Sequence, residues 1–324
     1  MKFLFAICIF FLAGCSNERE PSKLDTWMQE KDRVRVLSTT AMLSDLVANI
    51  GKEHVAGQTL IIGEIDPHSY ELVKGDDEKI SFAQIVFYNG LGLEHGASLR
   101  YSLQHHVNAV ALGDCIQKEH PELILTKGGQ LDPHVWMDIS LLAKAIGPIV
   151  AALSCLDPEH EGEYQQNGEK FLQEMMAAHK EIRGAMLQIP SEKRFLVTSH
   201  DAFNYFARAY LADPSETSRA DWQKRFEAPE GLAPDGQLSA ADIQRTINHI
   251  CLYHVAVVFP ESNVSRDSLK KIISACKEKG IDTTISNQVL YGDAMGGLDS
   301  DANGYLKMIQ HDANVLINAW QDEK

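Results

Sequence analysis

The chain has 324 residues, of which 44% are hydrophobic and 23% are charged, as in folded globular proteins rather than disordered ones. Asp and Glu outnumber Lys and Arg by 45 to 30, which gives a formal net charge of −15. So acidic a chain is a poor partner for nucleic acid. Its length is sufficient for two lobes that each bury a hydrophobic core.

The first 15 residues carry the pattern of a bacterial export signal. Lys2 precedes an apolar run over residues 3–11 that is too short to span a bilayer, and small residues lead to Cys15. This order predicts a signal peptide over residues 1–14. The sequence Leu-Ala-Gly-Cys also resembles a lipobox, in which the cysteine is acylated; the alternative is a plain signal peptide followed by a chance cysteine. Cleavage would remove one lysine and no acid, and the net charge would become −16.

Both alternatives place the mature chain outside the cytoplasm, in the periplasm or cell envelope, and acylation of Cys15 would add a lipid anchor. Residues 15–32 are poor in apolar side chains and are predicted to form the lipidated or flexible tether. We expect no second apolar stretch that is long enough for a membrane helix.

Beyond the tether, apolar runs typical of strands alternate with helical patterns, which indicates parallel sheets. The elements predicted before residue 160 are strand 34–37, helix 41–50, strand 59–62, strand 85–88, helix 97–105, strand 107–112 and helix 138–153. Those predicted after residue 190 are strand 195–197, helix 203–210, helix 240–249, strand 255–259, helix 265–279, strand 282–286 and helix 304–320. The fold class is therefore α/β, with two lobes at 33–160 and 190–324, each a mainly parallel sheet flanked by helices.

Residues 161–189 are predicted to form one long, rigid helix that connects the lobes. Apolar side chains recur at helical spacing with no proline before Pro190, and the helix would span roughly 40 Å. The alternative is a break at Gly168 or Gly184, since glycine disfavours helix. Residues 213–236, rich in Pro, Gly, Ser and acids, are predicted to form an irregular surface loop.

Four cysteines remain beyond the export signal, and none forms a C-x-x-C pair: Cys115, Cys155, Cys251 and Cys276. In an oxidising compartment, four cysteines allow three disulfide connectivities. Four free thiols are the alternative, and the sequence does not decide between them.

The tripeptide Asp-Pro-His occurs at 66–68 and again at 132–134, and a third histidine, His200, follows a predicted strand. Proline fixes φ, so His68 and His134 would project from stiff loops. Ligands bind beyond the carboxyl ends of strands in open α/β sheets, and these histidines follow such ends. The three histidines therefore predict a metal site in a cleft between the lobes. The predicted fourth ligand is Asp293, in the loop after the last strand, with Asp299 and Asp301 as possible substitutes.

Three imidazoles and one carboxylate would hold a divalent first-row metal with four protein ligands. A site filled by four protein ligands is more typical of metal storage or transport than of catalysis, because catalytic zinc sites keep one coordination position for water. The rival hypothesis is an exported metallohydrolase with Glu71 or Glu261 as general base. The sequence contains neither an H-E-x-x-H motif nor a G-x-S-x-G motif, so no enzyme motif supports this hypothesis.

Taken together, these motifs resemble the solute-binding proteins of ABC importers for zinc, manganese and iron, over nearly the whole mature chain. The resemblance is carried by the lipobox, Asp-Pro-His-Ser-Tyr-Glu at 66–71, Asp-Pro-His-Val-Trp-Met-Asp at 132–138, Thr-Ser-His-Asp-Ala-Phe at 198–203, Phe-Pro-Glu-Ser at 259–262, Tyr-Gly-Asp-Ala-Met-Gly at 291–296 and Gly-Tyr-Leu at 304–306.

The resemblance implies two lobes joined by one long helix and one metal ion held in the cleft as cargo. It implies the ligands His68, His134, His200 and Asp293. It also implies a monomer that delivers Fe²⁺, Mn²⁺ or Zn²⁺ to an inner-membrane permease driven by a cytoplasmic ATPase. A surface adhesin on the same scaffold is a further alternative.

Two departures from the family bear on the metal. Zinc-specific members often carry a His-rich loop before the second histidine motif, whereas residues 114–130 hold only His120. Many manganese-specific members have glutamate where this chain has His200, and imidazole shifts preference toward later metals. These departures point in opposite directions, so the cargo stays open.

Overall fold

The computed structural model describes residues 22–234, 236 and 238–322. The predicted signal peptide, the acylation of Cys15 and the first part of the tether lie outside the described residues. The helices and strands before the connecting helix are α1 (Lys23–Met28), β1 (Val34–Ser38), α2 (Ala41–Gly51), β2 (Val55–Thr59), α3 (Asp76–Phe82), β3 (Ile85–Tyr88), α4 (Ala97–His105), β4 (Ala109–Ala111), α5 (Leu112–Glu119), β5 (Thr126–Lys127), β6 (Gln130–Leu131), α6 (Ile139–Leu142) and α7 (Ile146–Leu156).

The N-terminal lobe contains a parallel sheet in the order β2-β1-β3-β4. Non-sequential neighbours in a parallel sheet require crossover connections, and α2, α3 and α4 lie within them. β5 and β6 stand apart as an antiparallel hairpin. Its two-residue turn is Gly128-Gly129, with φ of 58° and 83°, a left-handed conformation that glycine adopts without steric cost. The hairpin leads directly to the second Asp-Pro-His.

The connecting segment is a single unbroken helix, α8 (Glu161–Met186), which confirms the predicted long helix. Gly168 does not break it because α7 packs closely there. A Cβ atom at this position would lie 2.8 Å from Val150 and 3.1 Å from Ile146, so only glycine allows this approach. The elements that follow α8 are β7 (Leu196–Val197), α9 (Asn204–Phe206), which continues as a π-helical turn, α10 (Arg219–Trp222), β8 (Phe226–Glu227), α11 (Ala240–Tyr253), β9 (Val257–Val258), α12 (Asp267–Glu278), β10 (Thr284–Ile285) and α13 (Tyr305–Asp322).

The C-terminal strands are shorter but also parallel. β8 pairs with β7, and β10 pairs with β9. The two pairs are linked by one hydrogen bond, in which the amide of Phe259, directly after β9, donates to the Val197 carbonyl of β7 at 2.9 Å. The predicted α/β architecture, with a parallel sheet on each side of one long helix, is thus confirmed.

A single hydrophobic cluster extends through α8 into both sheets, from Val36 and Leu46 through Phe171 and Met175 to Phe259. The helical run Ile139–Leu156 has the length and apolar character of a membrane span, contrary to the expectation that the sequence holds no such stretch. Its buried side chains belong to this cluster, as in the core helices of soluble proteins.

Three further observations differ from or complete the sequence predictions. The predicted tether includes α1, which is folded onto the N-terminal lobe, where Trp27 is buried and its Nε1 donates to the Ala56 carbonyl at 2.8 Å. The predicted loop 213–236 contains β8 and is therefore not wholly irregular, since Phe226 pairs with Leu196. All four cysteines beyond the export signal are free thiols, which decides between the two alternatives for this structure.

Candidate metal centre

His68, His134, His200 and Asp293 come together at one buried point between the two sheets, and their ligand atoms all lie within 4.8 Å of one another. Oδ2 of Asp293 lies 3.2 Å from Nε2 of His200 and 3.7 Å from Nε2 of His68. Oδ1 of Asp293 lies 3.5 Å from Nε2 of His134, and the Nε2 atoms of His68 and His134 are 3.2 Å apart. The three imidazoles therefore present the same nitrogen to one carboxylate.

His68 lies in the long connection from β2 to α3. Its amide donates to Oδ1 of Asp66 at 2.8 Å, so the Asp-Pro-His turn is closed by its own aspartate. Its carbonyl accepts from the amides of His95 and Gly96. At Gly96 a Cβ atom would lie 2.0 Å from the Tyr70 carbonyl oxygen, so only glycine permits this contact. These bonds fix the loop that carries His68.

His134 follows the β5–β6 hairpin, and Asp132 orients it. Oδ1 of Asp132 lies 2.8 Å from Nδ1 of His134 and also accepts from its amide at 3.1 Å. Oδ2 of Asp132 accepts from Asn204, which lies beyond α8. A carboxylate on Nδ1 holds the imidazole in the tautomer whose Nε2 is free to bind a metal.

His200 follows β7 and also has a carboxylate neighbour, Glu261, which follows β9. Oε2 of Glu261 lies 2.5 Å from Nδ1 of His200, and Oε1 accepts from the amides of Ser199 and His200 at 3.0 and 2.8 Å. Next to this pair, a Cβ atom at Gly292 would lie 2.4 Å from Glu261. The position before Asp293 therefore has to be glycine for the carboxylate and imidazole to fit.

The two sides of the centre are also bridged directly. Nε1 of Trp136 donates to the Gly292 carbonyl at 2.7 Å, and Lys127 of the hairpin forms an ion pair with Asp201. Trp136 precedes α8 in the chain whereas Gly292 and Asp201 follow it. These two contacts hold the loops that carry the clustered side chains in fixed positions on the two sides of the cleft.

Burial and neighbouring groups shift the pKa values of three of the clustered side chains. Burial lowers the pKa of His68 to about 3, which keeps its imidazole neutral and able to bind a metal. At His200, burial is outweighed by the carboxylates of Glu261 and Asp293, which raise its pKa well above the ordinary value. Burial opposes ionisation of Asp293, but the neighbouring imidazoles, His200 first among them, hold its pKa below the usual range.

Among the described residues, no donor satisfies hydrogen-bond geometry with either carboxylate oxygen of Asp293, although the side chain is fully buried. A buried carboxylate without donors is costly unless a cation compensates it. A metal ion between Asp293 and the imidazoles would supply that compensation. The donor set, three nitrogens and one oxygen group, is one that first-row divalent ions accept.

The other carboxylates considered from the sequence are not among the four clustered side chains. Asp299 and Asp301 are exposed, and Asp301 pairs with His311 at 3.0 Å. Glu71 caps α4 through the amides of Ala97 and Ser98. The second carboxylate considered as a hydrolase base, Glu261, lies beside the cluster, with Oε2 2.5 Å from His200 Nδ1.

The sequence motifs did not predict that Asp132 contacts Nδ1 of His134 or that Glu261 contacts Nδ1 of His200. For Asp132 a signal was available, since an aspartate two residues before a ligand histidine can reach its Nδ1. For Glu261 no local signal exists, because 61 residues separate it from His200.

A cavity of about 640 Å³ lies on one side of the centre, where His68 forms part of its wall. Its polar lining includes Glu94, His95, Arg100 and Gln104. The other three clustered side chains are fully buried or nearly so. Of the four clustered side chains, only His68 borders this cavity.

Two parallel-sheet lobes on one long helix, with a buried imidazole–carboxylate cluster between them, define the class of metal-binding solute-binding proteins. The family model described as ZnuA, zinc-uptake complex component A, periplasmic, matches residues 36–319. The chain belongs to this family of substrate-binding components of metal importers. The resemblance noted in the sequence is confirmed.

Relatives and a solved structure agree with this assignment. The metal-binding protein YtgA of Chlamydia muridarum is 34% identical over 307 residues, 95% of this chain and 90% of the relative. The manganese-binding lipoprotein MntA of Bacillus subtilis is 30% identical over 96% of this chain and 95% of its own length. The crystal structure of Fe(III)-bound YtgA from Chlamydia trachomatis superposes with a TM-score of 0.83 and 36% identity, covering 89% of this chain and 98% of that one.

Proposed function

We propose that the protein captures a transition-metal ion outside the cytoplasm with His68, His134, His200 and Asp293 as its ligands. The observation that carries the proposal is the convergence of these four buried side chains, with their ligand atoms within 4.8 Å of one another. The ion is cargo rather than a catalytic cofactor. Four protein donors leave little room for the bound water that a metallohydrolase requires, and the chain acts as a carrier.

Iron, manganese and zinc are the candidate cargoes. A relative was crystallised with Fe(III), and another is named for manganese. Three imidazoles favour later divalent metals over manganese. Intrinsic affinity alone does not select the cargo, because the availability of each metal in the envelope also decides which ion is bound. Metal binding requires deprotonated imidazoles, so affinity should fall in acid.

The proposal extends to delivery. The carrier hands its ion to an inner-membrane permease, and a cytoplasmic ATPase drives import. It acts as a monomer in the periplasm or cell envelope, anchored through an acylated Cys15 after removal of residues 1–14. The units involved are the lobes 33–160 and 190–324, joined by residues 161–189.

The test of the metal assignment is stoichiometry by elemental analysis on the untagged chain without its signal peptide. The protein is stripped of metal, then offered iron(II), manganese(II) and zinc(II) in anaerobic competition and passed through a desalting column. We expect one tightly held ion per chain, and the competition ranks the three cargoes. No retained ion of any of the three would overturn the proposed function.

Replacing Glu261 with glutamine is expected to weaken metal binding about 10- to 100-fold, as loss of an orienting carboxylate does at other metal sites. Glutamine keeps the shape and the acceptor for the Ser199 and His200 amides but removes the charge beside His200 Nδ1. The matched control is Glu122→Gln, which alters an exposed glutamate whose Oε1 lies 3.7 Å from Nδ1 of His120, a histidine outside the proposed ligand set, and should leave the Kd unchanged. Equal Kd values for Glu261→Gln and the unmodified protein, from competition with a chelator, would show that Glu261 has no such role.

A further inference from the structure

A second group of metal-ligating side chains lies at the surface of the N-terminal lobe. His54 ends the 3₁₀ turn Lys52–His54 between α2 and β2, His160 immediately precedes α8, and Glu163 lies in the first turn of α8. One ligand atom from each lies within 4.8 Å of the other two. Nε2 of His54 is 2.9 Å from Oε2 of Glu163, and the His54 and His160 rings stack with centroids 3.8 Å apart.

His160 has a carboxylate partner at Nδ1, as metal-bound histidines commonly have. Oδ2 of Asp157 lies 2.8 Å from its Nδ1, and the same oxygen accepts from the Tyr164 hydroxyl at 2.7 Å. A carboxylate on Nδ1 fixes the tautomer and leaves Nε2 for a metal. The arrangement repeats the pairing of Asp132 with His134 at the buried centre.

The backbone around the group is held firmly. Asn167 of α8 donates to the Ile50 carbonyl of α2 at 3.1 Å, which fixes the start of α8 against the turn that carries His54. The side chains remain accessible, with 17% of His54, 31% of His160 and 55% of Glu163 exposed. A metal ion could therefore reach the group from solvent without opening of the fold.

We propose that His54, His160 and Glu163 form a second metal site, which binds a divalent ion of the zinc type between the α2–β2 turn and the start of α8. Two imidazoles and one carboxylate are the protein donors, and water completes a tetrahedral shell. With fewer protein donors and more solvent than the buried centre, the site binds more weakly than that centre. A bound ion links the connecting helix to the N-terminal lobe.

The test is zinc(II) stoichiometry by equilibrium dialysis of the untagged mature chain at about pH 7.5, one unit above the ordinary imidazole pKa. Free zinc is raised well above the Kd of the tight site. We expect two ions per chain, of which the weaker one is lost in His160→Gln. Glu163→Gln should weaken the second ion about 10-fold or more and serves as the independent variant, because this exposed side chain can be replaced without disturbing the core.

The matched control is His120→Gln. His120 is also a surface histidine beside a carboxylate, with Nδ1 3.7 Å from Oε1 of Glu122, but it is not part of the three-residue group. This variant should keep both ions. A single zinc ion in the unmodified protein, or two in both His160→Gln and Glu163→Gln, would overturn the second site. Neither result would bear on the proposed function at the buried centre. That site is tested separately, by the ion that stays bound during desalting.

Discussion

Replacing Asp293 with alanine is expected to weaken metal binding more than about 100-fold, beyond the loss typical of orienting residues. This carboxylate is the only charged group proposed as a ligand at the buried centre, and its oxygens lie 3.2 to 3.7 Å from all three imidazole nitrogens. The apo protein should remain folded, because among the described residues the carboxylate accepts no hydrogen bond that alanine would break. Kd from chelator competition and Tm with and without metal are the measurements.

The Tm shift gives this prediction a second readout. A ligand at about 1,000 times its Kd stabilises a protein by about 4 kcal/mol, so the unmodified chain should melt at a higher temperature with metal. Asp293→Ala should lose that shift. Asp301→Ala is the control, since Asp301 is exposed and paired with His311. An unchanged Kd in Asp293→Ala, or a lost shift in Asp301→Ala, would contradict the proposed ligand set.

The four proposed ligands were predictable because their signals are local. In each Asp-Pro-His the proline stiffens the turn and the aspartate closes it, at 66–68 by accepting from the His68 amide. His200 follows a short apolar strand, and Asp293 sits in a loop of small residues. The structure brings all four together. Their role as ligands stays a prediction for the experiments above.

Strand and helix limits were less predictable. The strand predicted at 59–62 is β2, Val55–Thr59, although the amides of Leu60 and Ile61 still bond to the carbonyls of Ser38 and Thr39. The helix predicted at 138–153 is α6 and α7 with a 3₁₀ turn between them. β8 was missed because its pairing with β7 joins residues 30 apart, and two-residue strands carry no periodicity of their own.

The segment 213–236, for which the sequence indicated no role, contains an ion-pair network centred on Arg225. The Arg225 guanidinium donates to Glu216 at 2.8 and 2.9 Å, to Asp213 at 2.9 Å and to the Ser191 carbonyl at 2.5 Å. It also lies over the Phe195 ring, 4.8 Å from the centroid. With the Arg225 side chain only 4% exposed, this network fixes the segment against the start of the C-terminal lobe.

Replacing Arg225 with alanine is expected to lower the free energy of unfolding by about 3–5 kcal/mol, the usual cost of removing one partner of a buried ion pair. The carboxylates of Glu216 and Asp213 would remain without their main donor. Urea unfolding of the apo protein measures the loss. Metal affinity at the buried centre should be unaffected, because none of these contacts involves its four side chains.

The loss of unfolding free energy caused by Arg225→Ala should become smaller in acid. Burial opposes ionisation of Glu216, but hydrogen bonds from Arg225 and Lys224 lower its pKa from 4.5 to about 2. A carboxyl group with a lowered pKa stabilises the fold above its unfolded-state value, and that stabilisation is lost as the pH falls toward the folded-state value. The difference in unfolding free energy between Arg225→Ala and the unmodified protein should therefore decrease as the pH falls from about 4.5 to about 2.

Arg245→Ala is the matched control for Arg225→Ala. Arg245 also contacts two carboxylates, Glu227 at 3.0 Å and Asp242 at 2.5 Å, but 46% of its side chain is exposed. Exposed ion pairs contribute about 1 kcal/mol or less, because solvent screens them. If both variants lost the same free energy, burial would not be what makes the Arg225 network stabilising. If Arg225→Ala also weakened metal binding, the segment would contribute to the metal centre as well as to stability.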